Sequence, residues 1–124
     1  MLHFRLESKK DIERRFGTET LTDTTVQSIF DDPANIEILD EIRELLTLLE
    51  FTAVGVNTGV LDKDIWFRMS GSYIIRLYYT FRVYITQARR RRSNSFAYIE
   101  FEEISKEFEE RRRVKPDPRG KIID

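Results

Sequence analysis

The 124-residue chain contains no cysteine, which excludes disulfides, thiolate zinc sites, iron–sulfur clusters and cysteine nucleophiles. Its one histidine, His3, leaves no histidine triad and no histidine cluster for a metal. Five glycines and three prolines are too few for a turn-rich β-sandwich or a Pro/Gly-rich disordered chain. No uncharged apolar run approaches the roughly 18 residues of a membrane-spanning helix. The longest stretch without charge, from Phe51 to Leu61, carries Asn57, two threonines and two glycines. The start, Met1-Leu2-His3-Phe4-Arg5-Leu6-Glu7, is broken by charge before a secretory core could form. A cytoplasmic protein without a membrane partner is expected.

What is present is charge and aromatic rings. Charged residues make up 35% of the chain, above the usual quarter, so amphipathic elements with a solvated outer side are expected. Nine Phe, five Tyr and one Trp suffice for one buried core. The net charge of −1 hides an asymmetry. Residues 1–62 carry 6 basic and 13 acidic side chains, a net of −7; residues 63–124 carry 15 and 9, a net of +6. The two ends either complement each other within the fold or offer a charged face to a partner, including a second copy.

Helical periodicity dominates the middle of the chain. Leu2, Phe4 and Leu6 alternate as in a strand, while Ser8 could cap a helix stopped by Gly17, so the N-terminus stays open between the two. A short helix is expected to carry Val26, Ile29 and Phe30 on one face. Asp32-Pro33 is a start signal, a cap followed by a residue whose missing N–H costs nothing at the first helical position. Ile36, Leu39, Ile42, Leu46, Leu49, Ala53 and Val56 then predict a helix over 33–57, about 37 Å long. Gly59 is its expected left-handed terminator. Asp62 caps a second helix running from Lys63 to about Arg91, with Leu61 and Trp66 at staple spacing. Its expected core face is Ile65, Met69, Ile74 or Tyr73, Leu77, Phe81 and Tyr84. Ser93-Asn94-Ser95 breaks the pattern and supplies a cap. Ala97, Phe101, Ile104 and Phe108 predict a third helix ending near Arg113. The fold class is all-α: a long antiparallel helical hairpin, with a third helix and short N-terminal helices packed as a small bundle. One helical domain spans 1–113, and a mobile tail is expected over 114–124.

The candidate chemistry is thin. Arg89-Arg90-Arg91-Arg92 points around most of a helix and sits at its C-terminus, where the macrodipole favours cations. Arg111-Arg112-Arg113 repeats that placement, and a basic total charge or a reading motif for nucleic acid is missing. Glu50 lies in the most apolar part of the first long helix. A buried carboxylate needs a partner, and a hairpin turning near residue 60 offers Arg68, Ser70, Ser72 and Tyr73. Glu50, Arg68 and Tyr73 are therefore expected as a structural polar set rather than a catalytic one. Glu103 and Glu107 read as solvated charges, and Lys106 and Glu110 as a helical pair. No catalytic, metal or cofactor-binding residue is assigned, and no enzyme is expected. The rings of Trp66, Phe67, Tyr73, Tyr78, Tyr79, Phe81 and Tyr84 exceed what one helix face can hide. Trp66, Tyr78, Tyr79, Arg82, Arg89, Arg90 and Arg92 are therefore the candidate partner-binding residues.

Leu48-Leu49-Glu50-Phe51, Ala53-Val54-Gly55-Val56, Gly59-Val60-Leu61-Asp62, Arg89 and the upstream Asp32-Pro33 carry a resemblance. Over roughly 32–108 the chain resembles a bacterial family catalogued as domain of unknown function 4760. The resemblance implies a helical domain and no established reaction. It also implies an N-terminal membrane anchor in many members, which is not expected of this chain. The expected function is a small protein-binding module, self-associating through an aromatic and arginine helix surface. The alternatives are a phage or mobile-element inhibitor of a host defence complex, and a nucleic-acid-binding accessory protein. Salt-dependent binding to random DNA separates the last, because phosphate contacts weaken steeply with salt.

Overall fold

The structure, a computed structural model, describes residues 21–114. The alternating Leu2, Phe4 and Leu6, the helix expected from Ser8, and the tail over 115–124 lie outside the described residues. Every regular element within them is helical. Thr22 caps α1 (Asp23–Asp31) by accepting from the Thr25 amide at 3.2 Å. Asp32 accepts from the Ala34 amide and starts a 3₁₀ turn, Pro33–Asn35, which leads into α2 (Ile36–Asn57). The long first helix thus begins three residues later than its pattern predicts, because Pro33 and its neighbours take the tighter winding. Gly59, at φ +84°, closes α2 in the left-handed region that glycine enters freely. Asp62 accepts from the Ile65 amide and opens α3 (Lys63–Arg91), whose bounds are those read from the sequence. The third long element, α4 (Ile99–Val114), starts two residues beyond the expected Ala97 and includes Val114.

Two compact units divide the chain, and the division falls inside α2 and α3. The first comprises Met1–Leu48 and Thr80–Ala97. Its buried residues include Val26, Ile29, Ile38, Leu39, Ile42, Leu45, Leu46, Phe81, Tyr84, Ile85 and Ala88. Phe30 stacks on Tyr84 with ring centroids 4.9 Å apart, as the apolar face of α1 requires. The two buried amides of this unit are satisfied: Asn35 donates to the Ser28 carbonyl, and Gln87 to Asp23.

The second unit comprises Leu49–Tyr79 and Tyr98–Asp124. Here α2 and α3 meet through the turn at 58–62, where the Leu61 amide donates to the Gly55 carbonyl at 2.9 Å. Its core includes Leu49, Ala53, Val56, Phe67, Ile74, Leu77, Tyr78, Tyr98, Phe101, Ile104 and Phe108. Within this unit α4 starts against α2 and ends against α3: Asn57 bonds Glu100, while Lys63 pairs with Glu107 and Asp64 with Arg111.

Two helical glycines of this unit behave differently under substitution. A Cβ on Gly71 would stand 3.0 Å from the Phe67 ring, which is buried against Phe108. A Cβ on Gly55 would stand 3.0 Å from Leu61 Cδ1, the end of a half-exposed side chain that can swing outward. Alanine gains roughly 1 kcal/mol of helix propensity at either position. Gly55→Ala is expected to stabilise by about 0.5 kcal/mol, while Gly71→Ala loses about 1 kcal/mol through overpacking. Urea denaturation of the two variants beside the parent chain checks the opposite signs.

Candidate interaction surface

The α4 N-terminus is held by a side chain from another helix. Ser93 and Tyr98 both have positive φ, at 50° and 62°, an uncommon conformation for residues other than glycine. Tyr98 precedes α4, and its side chain has no oxygen near the next amides to cap them. Glu50 does so instead, accepting from the Phe101 amide at 2.8 Å and the Glu100 amide at 3.2 Å. This corrects two expectations. The Ser93-Asn94-Ser95 stretch does not cap the helix, since Asn94 accepts from the Phe96 amide inside the loop. The structure also places the Glu50 carboxylate at α4, not at the 68–73 level of α3, while Arg68 lies 3.9 Å from Asp64. Both oxygens of the Glu50 carboxylate are thus engaged by backbone amides of α4.

Most of the aromatic surplus is turned inward. Trp66 and Phe67 both meet Phe108 edge-on, with centroids 5.8 and 5.1 Å away. Tyr78 is only 6% exposed; its ring meets Phe101 and its hydroxyl donates to Glu102 at 2.9 Å. That burial removes Tyr78 from the surface assigned to it. Tyr79 is exposed, with its hydroxyl 2.8 Å from both oxygens of Glu109. Tyr73 is half-buried.

The arginine runs tie neighbouring elements together. In the first unit, Arg89 Nε donates to the Ala97 carbonyl at 2.9 Å, and Arg91 pairs with Asp31 at 2.7 Å while lying over the Phe30 ring. The hydrogen bond from Arg91 holds the Asp31 carboxyl below its ordinary range, and the same bond raises the Arg91 pKa. In the second unit, Arg111 bonds Asp64 and stacks on Phe67, and Arg113 reaches Glu110. Arg82, Arg90, Arg91 and Arg92 are exposed. An open groove of about 390 Å³ in the first unit is lined by Asp23, Gln27, Gln87, Arg90 and Arg91, a mixture of both charge signs and amides. The acidic face of α4 also differs in detail: Glu107 pairs with Lys63 and Lys106 with Glu102.

The large apolar side chains left outside concentrate at the hairpin end of the second unit. Phe51 is 71% exposed, Val60 81% and Met69 77%, with Ile65 at 54% and Val54 and Leu61 also exposed. Ile65 and Met69 were expected in the core, and the phase of α3 is the correction. Phe67, Gly71, Ile74 and Tyr78, spaced by four, three and four, are buried here together with Leu77. Residues 65 and 69 stand some 200° round the helix from Phe67. That spacing was visible in the sequence but contains a glycine, which gave it no apolar weight. Among the described residues no three acidic or histidine side chains gather as a metal site, and no helix is long and apolar enough to cross a membrane.

A family model described as a domain of unknown function, DUF4760, matches residues 3–108. No curated protein and no solved structure gives a significant match.

Proposed function

The chain belongs to the DUF4760 family, whose description assigns no activity, and from its side chains we propose a small, non-enzymatic protein-binding module. Its contact surface is the hairpin end of the second unit, not the arginine runs. The observation that carries this reading is the exposure of Phe51, Val60, Ile65 and Met69 on one turn and its flanking helix ends. Water-soluble monomers seldom leave this many large apolar side chains uncovered at one end of a hairpin unless something docks there. Methionine and phenylalanine suit the task, one adaptable and one rigid. The nucleic-acid reading draws on the exposed Arg82, Arg90 and Arg92, but Arg89 and Arg91 of the same run are engaged within the first unit.

Affinity capture from a cell lysate tests the choice between the surfaces. Proteins retained by the parent chain are expected to be retained equally by Arg90→Ala/Arg92→Ala and lost by Phe51→Asp/Met69→Asp. Retention by the second variant, with loss by the first, contradicts the reading.

A further inference from the structure

We propose that the occupant of this hairpin end is a second copy of the chain, related by a two-fold axis running along the hairpin. The inference rests on the reading that this end is the working surface, and adds what covers it. Phe51 lies six residues before Asn57, and Met69 six residues after Lys63, so the antiparallel limbs bring them to one level. Gly55 and Ile65 share the next level, each two residues from its helix end, and the Leu61 side chain lies over Gly55. The first level therefore presents an exposed apolar side chain on both limbs, and at the second Leu61 of the turn covers the α2 limb beside Ile65 of α3. A two-fold axis along the hairpin sets α2 of one copy against α3 of the other. Phe51 then meets Met69 of the second copy, Leu61 meets its Ile65, and both contacts recur by symmetry.

Area and charge favour the same occupant. The six exposed apolar side chains leave roughly 700 Å² uncovered, close to the about 800 Å² that each partner buries in a standard interface. None of the six is charged. The rim carries both signs, Asp62 and Asp64 beside Arg68, so pairing does not stack one sign on itself. The described part of this unit holds nine acidic and seven basic residues, too balanced for strong mutual repulsion. The pairing leaves α4 in place, because Phe67 and Gly71, which meet it, point away from Ile65 and Met69.

Sedimentation of the full chain over roughly 1–300 µM reads the dissociation constant. Dimerisation is expected, with Phe51→Asp and Met69→Asp each weakening it by about tenfold or more while circular dichroism stays unchanged. The absence of cysteine permits a register test: an oxidised mixture of Phe51→Cys and Met69→Cys chains is expected to link mainly 51 to 69. Dominant 51–51 or 69–69 links overturn the two-fold arrangement. A dimer indifferent to both Asp variants overturns the surface itself, and with it the proposed function. A parent chain that stays monomeric overturns self-pairing alone if the apolar dye anilinonaphthalene sulfonate binds it but not the Asp variants. Equal dye binding by all of them overturns both.

Discussion

Phe108→Ala is expected to cost about 3–5 kcal/mol of unfolding free energy, the range for truncating a fully buried aromatic ring. Phe108 is wholly buried and receives Trp66 and Phe67 edge-on from α3. Truncation removes both ring contacts and opens a cavity that neither neighbour can fill. Phe67 is held in turn by Arg111 over its face at 4.3 Å. Phe96, 72% exposed in the preceding loop, is the matching control, and Phe96→Ala should change stability by less than about 0.5 kcal/mol. Urea denaturation of both variants measures the contrast. Equal effects would mean that α4 is not fastened through Phe108.

The second large effect is expected at Glu50. Its carboxylate caps the Glu100 and Phe101 amides, the second and third residues of α4, from a helix fifty residues upstream. A hydrogen bond to a charged group contributes about 1.5–3 kcal/mol, and a lost cap costs about 0.5–2 kcal/mol. Glu50→Ala is therefore expected to lose about 2–3 kcal/mol. Glu50→Gln keeps one acceptor oxygen but turns a donor towards the other amide, and should lose about half as much. Hydrogen exchange locates the loss: amides 100–104 should exchange faster in Glu50→Ala, while those in the first unit keep their protection. Uniform acceleration across both units would contradict a cap.

Local signals made the helices legible. Asp62 placed the start of α3, Gly59 the end of α2, and the 4-3-4 run of Ala97, Phe101, Ile104 and Phe108 the third helix. Where several solutions satisfied the local rules, the sequence left the choice open. The first part of α3 is apolar on two sides, so periodicity alone does not decide whether Met69 or Phe67 faces inward. The packing of α4 decides it, because Phe108 takes Phe67 and leaves Met69 outside. The partners of Glu50 were hidden for a different reason. They are backbone amides, which carry no sequence signal, and the residue before α4, Tyr98, takes a left-handed conformation that no glycine announces. The arginine runs were legible as helix ends but not as ties, since Ala97 and Asp31 become neighbours of Arg89 and Arg91 only in the folded unit.

Two surfaces compete for the working role, and they differ in physics. Contacts made by Arg82, Arg90 and Arg92 are screened by salt, whereas burial of Phe51, Val60, Ile65 and Met69 is not. The dissociation constant of the self-associated chain, followed from low salt to about 1 M, separates them over a range in which the Debye length shrinks to about 3 Å. An unchanged or tighter constant is predicted. A steep weakening as salt rises would contradict an apolar hairpin end as the site of contact.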